Sequence, residues 1–508
     1  TLREIYFPPF KAAIDAGAGS VMSAFNDLDG IPCTANPFLL TGVLRDEWHF
    51  RGILISDWNA VDELIQHGVA ANGEDAAALA LNAGVDMDMV SGLYAEFGPK
   101  LVADGRVRAD AVDQAVRRVL EAKFRLGLFA HPYADENLEK AALLTGANRA
   151  AARELAARTF VLLKNERETL PLSRKLKSIA VIGPLANDAQ SMIGPWSGDG
   201  RAADAVTLLA GIRAKVPGGK IVYAKGCDVT GDSRSGFAAA MRAARKCDFI
   251  ILAVGESAEM SGEAASRSSL DLPGCQLALI EAIHSVGKPY AVVLMNGRPL
   301  SIDWMAAHSP AILETWFAGT EGGNAIADTL FGDANPGGKL PVTFPRSAGQ
   351  IPIYYDHKST GRPPGSGKDF SGYRDISWTP LYPFGYGLSY THFKLSNLEL
   401  SATHIHPDGM VTVGVDVKNT GHRAGDEVVE LYIHDLVASV TRPVEALEGF
   451  RRVRLRPGEQ RHVEFTLGPG QLGFYNAAMR FVVEPGKFDV MVGDDSQDGL
   501  QSSFEVEP

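Results

Sequence analysis

The sequence predicts a multidomain α/β protein that ends in an all-β part. Three observations carry this. At 508 residues, the chain is long enough for about three domains. Short apolar runs alternate with helical stretches in two successive blocks, as buried parallel strands and their crossover helices do. Near residue 395 the apolar period switches to two, the mark of half-buried strands.

Residues 1–127 form the first block. Leu2–Asp15 reads as helical. Gly19–Phe25, Arg51–Trp58 and Gly84–Met89 read as three short strands, the last preceded by a helix over Glu74–Leu81. Val112, Val116, Val119, Leu120 and Phe124 have helical spacing, with Gly127 as the stop. Three strands cannot close a barrel, which needs eight and about 250 residues. The block is therefore either a small open sheet or the C-terminal part of a barrel. Residues 128–159 read as a linker holding an Ala-rich helix, Ala141–Ala157.

The second block, 160–350, has strands at Ser178–Gly183, Lys220–Ala224, Asp248–Val254, Pro289–Met295 and Ala311–Trp316. Its helices include Ser235–Arg245, Gly274–Ser285 and Gly323–Leu330. Nearly continuous apolar strands predict a sheet covered on both faces. Residues 351–394, rich in Pro, Gly and Tyr, read as an irregular connector. Over 395–508, Val411, Val413, Val415 and Val417 alternate with polar residues; so do Val429, Leu431 and Ile433, and Val463, Phe465 and Leu467. Turn signals at Asn419-Thr420-Gly421 and Pro457-Gly458 separate them, which predicts a β-sandwich.

Composition removes several function classes. Lys and Arg number 49 against 61 Asp and Glu, a net charge of −12, the wrong sign for a nucleic-acid footprint. No apolar run reaches the 18 residues of a membrane span. The first residues lack a signal-peptide pattern. Cys33, Cys227, Cys247 and Cys275 are too scattered for a disulfide framework or zinc site and read as buried thiols.

Candidate chemistry then narrows to carboxylates. Asp57 ends an apolar strand, where barrels place catalytic groups, and Trp58 beside it offers an aromatic face. The alternative is an N-cap for the following helix. Glu256, Glu259 and Glu263 sit in a Ser/Gly-rich loop after Asp248–Val254 and offer a general acid; the alternative is a solvated acidic loop. Asp57 and Glu263 fall in different predicted domains, so a site using both would lie between domains. His404 and His406 have no third ligand nearby. Gly365-Ser366-Gly367-Lys368 fails the phosphate-loop spacing, with Asp369 in place of the hydroxyl residue. Paired-carboxylate chemistry remains, and glycoside hydrolysis is the main reaction class built on it.

The residues also resemble a known family, the multidomain β-glucosidases of glycoside hydrolase family 3. Val21-Met22-Ser23-Ala24-Phe25-Asn26, Leu44-Arg45-Asp46-Glu47-Trp48 and Ser56-Asp57-Trp58 resemble its nucleophile region. Ala156–Asn165 resembles the start of its second domain, and Ser261-Gly262-Glu263-Ala264-Ala265-Ser266-Arg267 its acid/base loop. Asn296-Gly297-Arg298-Pro299-Leu300, Trp316–Gly323, Gly332–Pro341 and Phe384–Tyr390 follow in the family's order.

The resemblance implies a fold made of the C-terminal part of a (β/α)8 TIM-like barrel, an α/β sandwich domain and a fibronectin type III-like β-sandwich. It implies a retaining, exo-acting β-glucosidase with Asp57 as nucleophile and Glu263 as acid/base. Trp58 would line the glucose subsite, with Met22 and Phe25 beside the nucleophile; many members carry Tyr at the Phe25 position. No cofactor or metal is implied. The expected partners are a β-glucoside or oligosaccharide substrate and a companion segment supplying the earlier barrel strands, with a homodimer left open and neither nucleic acid nor membrane expected. A periplasmic or secreted location is favoured. A β-xylosidase or arabinosidase of the same family, or a non-catalytic carbohydrate-binding protein, are the alternatives.

Overall fold

The computed structural model describes residues 1–364 and 371–508; the Gly365–Lys368 stretch considered above lies outside the described residues. The chain divides into two compact units, 1–142 and 143–508.

In the first unit, helix α1 (Phe7–Asp15) precedes strand β1 (Ser20–Met22). β1 pairs in parallel with β2 (Ile53–Ile55), in a register that sets Met22 opposite Ile55. Both strands are shorter than the apolar runs suggested. The expected third strand, Gly84–Met89, contracts to one parallel bridge between Met87 and Ile55. The cause is Asp86. Its carboxylate accepts the Leu54 N–H at 2.9 Å, the place a strand carbonyl would take, and binds Arg45 at 2.7 Å and Arg118 at 2.6 Å.

Helix α2 (Gly73–Ala83) follows the expected position and buries Ala76, Ala77, Ala80 and Leu81. Helix α3 (Leu93–Ala103) escaped the sequence reading because Gly98 and Pro99 interrupt its apolar period. Helix α4 (Ala109–Arg125) forms as expected, but its apolar face does not bury: Val116, Leu120 and Phe124 are exposed, and only Ala115 is buried. An apolar groove of about 460 Å³ opens beside β1, lined by Phe7, Val21, Met22, Leu44 and Trp48.

The expected helix over 141–157 is instead two helices. One spans Glu136–Ala142; the other, α5 (Gly146–Thr159), starts where the Thr145 hydroxyl accepts the Asn148 N–H at 3.1 Å. An N-cap thus outweighs the continuous Ala run. α5 belongs to the second unit rather than to a linker: Arg149 binds Glu321 at 2.7 Å and Ala156 joins the core.

That unit contains a six-stranded sheet. Its strands are β3 (Val161–Asn165), β4 (Ser178–Ile182), β5 (Lys220–Ala224), β6 (Phe249–Gly255), β7 (Tyr290–Met295) and β8 (Ala311–Glu314), in the order β3-β8-β7-β6-β4-β5. All neighbours are parallel except β3, which runs antiparallel to β8. β4, β6, β7 and β8 are buried along their whole length. Successive residues serve opposite faces: Val181, Ile251 and Val293 enter one core, Ala180, Ile250 and Val292 the other. Helices α6 (Leu208–Lys215), α7 (Phe237–Lys246), α8 (Gln276–His284) and α9 (Gly322–Leu330) supply the covering layers.

The C-terminal strands are β9 (Phe393–Leu400), β10 (His404–Ile405), β11 (Val411–Asn419), β12 (Gly425–Asp435), β13 (Ala446–Leu455), β14 (Gln460–Leu467), β15 (Gly486–Gly493) and β16 (Gly499–Val506). They form sheets ordered β9-β11-β14 and β10-β16-β15-β12-β13. The alternating residues read from the sequence, Val411 to Val417, Val429 to Ile433 and Val463 to Leu467, are the inward ones and share one core. These sheets join the same compact unit because the described part of 331–392 ties them to the α/β part. Lys339 binds Glu427 at 3.0 Å, Asn335 donates to Ala424 O at 3.0 Å, and Leu388 donates to Leu162 O at 2.9 Å. All four cysteines are buried free thiols.

Candidate active site

Candidate site residues occur in both units. In the first, parallel pairing brings the C-terminal ends of β1 and β2 to one edge, and the Met87 bridge adds a third segment there. Met22 closes β1, with Phe25 three residues on; Asp57 and Trp58 follow β2; Asp88 follows the bridge. The backbone around Asp57 is held on several sides. Ser56 Oγ donates to Asp57 O at 2.9 Å and accepts the Met89 N–H at 2.9 Å, while Asn59 N–H donates to Met89 O at 3.0 Å. Asn59 has φ +60°, a tight turn for a residue with a Cβ.

Asp57 Oδ1 accepts the Trp58 N–H at 2.6 Å. This self-contained hydrogen bond is not the N-cap of a following helix; the helix Glu63–Gln66 begins six residues on. Trp58 is 64% exposed and Met22 is exposed, so both present surface at this edge. Phe25 is half-buried, and its carbonyl lies 3.1 Å from His67 Nε2. Asp88 was passed over in the sequence; Ser91 Oγ donates to both its oxygens at 2.7 and 2.6 Å. The signal available was its place, like Asp57, just beyond an apolar run.

In the second unit, the three carboxylates of the post-β6 loop separate into different environments. Glu256 is fully buried. It binds Arg267 Nη1 at 2.6 Å and Arg298 Nε at 3.1 Å, so it is an anchor rather than a solvated acid. Glu259 and Glu263 are exposed. The turn at Gly262 has φ +112°, where a side chain is strained, and a Cβ there would sit 3.1 Å from Pro195 Cβ and 3.8 Å from the Trp196 ring. Glu263 therefore follows a turn packed on the Pro195-Trp196 corner.

Trp196 is 75% exposed, a large apolar face beside the Gly262 turn, and the sequence reading missed it. Its signal was Gly194-Pro195-Trp196-Ser197-Gly198, an aromatic inside a turn-forming stretch. Beneath the loop, Glu314 at the end of β8 is wholly buried, which pushes its carboxyl up to about 8; it accepts from Trp316 N at 2.8 Å and Asn296 Nδ2 at 3.1 Å. Among the described residues, no group of three or more His, Cys, Asp or Glu is arranged to hold a metal ion. No helix there is long and apolar enough to cross a membrane.

Comparison with known proteins gives three matches by pattern. Residues 1–122 match the glycosyl hydrolase family 3 N terminal domain, 160–390 the glycosyl hydrolase family 3 C-terminal domain, and 427–496 a fibronectin type III-like domain. The chain is 47% identical to a periplasmic β-glucosidase of Salmonella typhimurium, over 99% of this chain and 69% of that protein. It is 44% identical to a β-xylosidase of Formosa agariphila, over 98% of this chain and 70% of that one. A β-glucosidase from Listeria innocua solved with glucose superposes with a TM-score of 0.96 at 40% identity, covering 100% of this chain and 70% of its own.

Proposed function

The chain belongs to glycosyl hydrolase family 3, and on that footing we propose that it is a retaining, exo-acting β-glucosidase releasing glucose from terminal non-reducing β-glucosyl residues. The observation that carries this reading is Asp57, a carboxylate held by its backbone just past the C-terminal end of a parallel strand, with Trp58 next to it in sequence and Met22 at the end of the neighbouring strand both exposed. The Salmonella and Listeria relatives, both named β-glucosidases, support glucose as the sugar; the Formosa relative keeps a β-xyloside as the second reading.

The chemistry assigned to the residues is a double displacement. The Asp57 carboxylate attacks the anomeric carbon as the glycosidic C–O bond breaks, and Glu263 gives its proton to the departing oxygen. Glu263 then takes a proton from water, which attacks the same carbon and releases Asp57 with net retention. Trp58, Met22 and Phe25 line the sugar. No cofactor enters these steps.

The finer fold belongs to the same reading: the C-terminal part of a TIM-like barrel over 1–127, an α/β sandwich over 160–350 and a fibronectin type III-like sandwich over 395–508. A companion barrel segment is part of it. Among the described residues, β1 hydrogen-bonds only to β2, and the apolar groove beside it is the kind of surface another strand and helix cover.

The test is hydrolysis of an aryl β-glucoside and an aryl β-xyloside by protein carrying the companion segment, with the first-formed anomer read by NMR. The expected result is a preference for the glucoside with β-glucose appearing first. Preference for the xyloside would establish the second reading. First appearance of α-glucose would exclude the double displacement, and sugar binding without turnover would make this a carbohydrate-binding protein.

A further inference from the structure

The loop that carries Glu263 is gripped by side chains from elsewhere in its unit. Arg298, just past β7, donates from Nη2 to the carbonyls of Met260 and Ala265, the latter at 2.8 Å. These two carbonyls bracket Glu263, three residues before it and two after. The same guanidinium binds Glu256, Nε lying 3.1 Å from one carboxylate oxygen and 3.3 Å from the other. Glu256 is wholly buried, and also binds Arg267 at 2.6 Å; Arg267 in turn donates to Asp271 O at 2.9 Å. Gly297 N–H lies 3.4 Å from Glu256 Oε2.

The backbone is fitted to this grip. Ser261 seats directly on Gly297, where a Cβ would stand 2.2 Å from Ser261 Oγ. Ala264, next to Glu263, has φ +54°, a conformation costly for any residue with a Cβ and kept only where its surroundings over-determine it. Two flanking carbonyls held by one nitrogen, Nη2, of a partly buried guanidinium whose Nε is fixed on Glu256 are such surroundings. A lysine could not replace it, because an ammonium lacks the rigid planar spacing between the donor to Glu256 and the donor to the loop.

We infer that Arg298, anchored on Glu256, is the positioning residue for the Glu263 turn: it touches no reacting atom but fixes where the acid/base carboxyl is presented. This rests on Glu263 being the acid/base, and the test separates the two claims. A displaced general acid hurts poor leaving groups most, because a good one departs without a proton. A displaced base slows attack by water, and azide, which needs no base, attacks the anomeric carbon of the glycosyl-Asp57 ester, forming a C–N bond as the ester C–O bond breaks.

Glu263→Ala is the reference. It should lose cleavage of an unactivated β-glucosyl disaccharide, keep glycosylation by a nitrophenyl glucoside, and gain turnover with azide as β-glucosyl azide forms. If it does not, the acid/base assignment falls, whatever Arg298 does. With the reference behaving so, Arg298→Met should show the same signature in weaker form. Disaccharide cleavage should fall on the order of 10²-fold, the scale of an ångström misplacement. Nitrophenyl glucoside glycosylation should change less than about fivefold, with azide acceleration. Arg298→Lys should restore little of the loss. Glu256→Gln, which keeps shape and weakens the anchor, should repeat the pattern and serves if Arg298→Met does not fold. Equal losses on both substrates without azide acceleration, or no loss on either, would overturn the inference.

Discussion

At the scale of single residues, the assigned roles differ in what their removal should cost. Covalent catalysis depends on the nucleophile's own carboxylate, so Asp57→Asn should reduce turnover by on the order of 10³-fold or more. Among the described residues its side chain bonds the adjacent Trp58 N–H alone, so circular dichroism and melting should stay close to wild type. An intact variant with wild-type turnover would remove Asp57 from the role. Trp196 should behave differently. Its exposed indole adjoins the turn before Glu263, where the leaving sugar would pass, and an aromatic face of this kind is worth about 1 kcal/mol. Trp196→Ala should raise the KM for a disaccharide roughly fivefold and leave competitive inhibition by glucose unchanged; a matched loss of glucose inhibition would place the ring against the glucosyl unit instead. The position of Asp57 just beyond a short parallel strand was legible, because an acid after an apolar run is a recognisable place for chemistry. Trp196 was not, because a lone aromatic among glycines carries no period, and its meaning comes from contact with a loop 66 positions away.

At the scale of elements, Asp86 replaces a strand. It holds the Leu54 amide and two guanidinium groups, Arg45 and Arg118, with its own side chain only 1% exposed. Burial pulls the Arg45 guanidinium downward in pKa while Asp86 opposes the shift. Asp86→Ala would leave two partly buried cations unpaired and an amide unbonded, so urea unfolding should show a loss of about 3–5 kcal/mol. A loss below about 1 kcal/mol would mean that the three elements are held by apolar packing alone. This substitution of a side chain for a ladder explains why Gly84–Met89 looked like a strand and is not one. β3 was missed because Val161–Asn165 continues directly from helix α5 with no turn residue between them, and its pairing is with the distant β8. The sheets were legible where burial is uniform, in β4, β6, β7 and β8, or where apolar residues recur every second position, in β11, β12 and β14. The helical spacing of α4 was legible, but the exposure of Val116, Leu120 and Phe124 was not, since a pattern tells what a face prefers and not what covers it.

At the scale of the molecule, several carboxyls sit where burial favours their neutral form. Glu314 is pushed up to about 8, and Glu430, Glu445 and Glu448 to about 7, all from 4.5 and all chiefly by burial. The folded state therefore binds more protons than the unfolded one between about pH 4.5 and 8, so stability falls as pH rises through that window. On the acid side, against the cost of burial, Arg153 and Lys215 hold Asp328, and Lys215 and Arg174 hold Asp333, below 3.8, which loses stability only as pH drops under that value. Calorimetry should find the highest Tm near about pH 4–5 and a decline toward pH 8. Glu314→Gln should flatten the decline, since the new amide can pair with Asn296 once that side chain turns its unpartnered Oδ1 inward. A Tm rising from pH 5 to 8 would contradict this. The antiparallel pairing of β3 with β8 has a further effect, on the timetable of synthesis. The first strand of the six-stranded sheet cannot find its neighbour until roughly 150 more residues have left the ribosome, about 10–30 s at ordinary elongation rates. Through that interval Val161-Leu162-Leu163 is an apolar segment without its β8 partner, a longer wait than that of β4 for β5 in the same sheet.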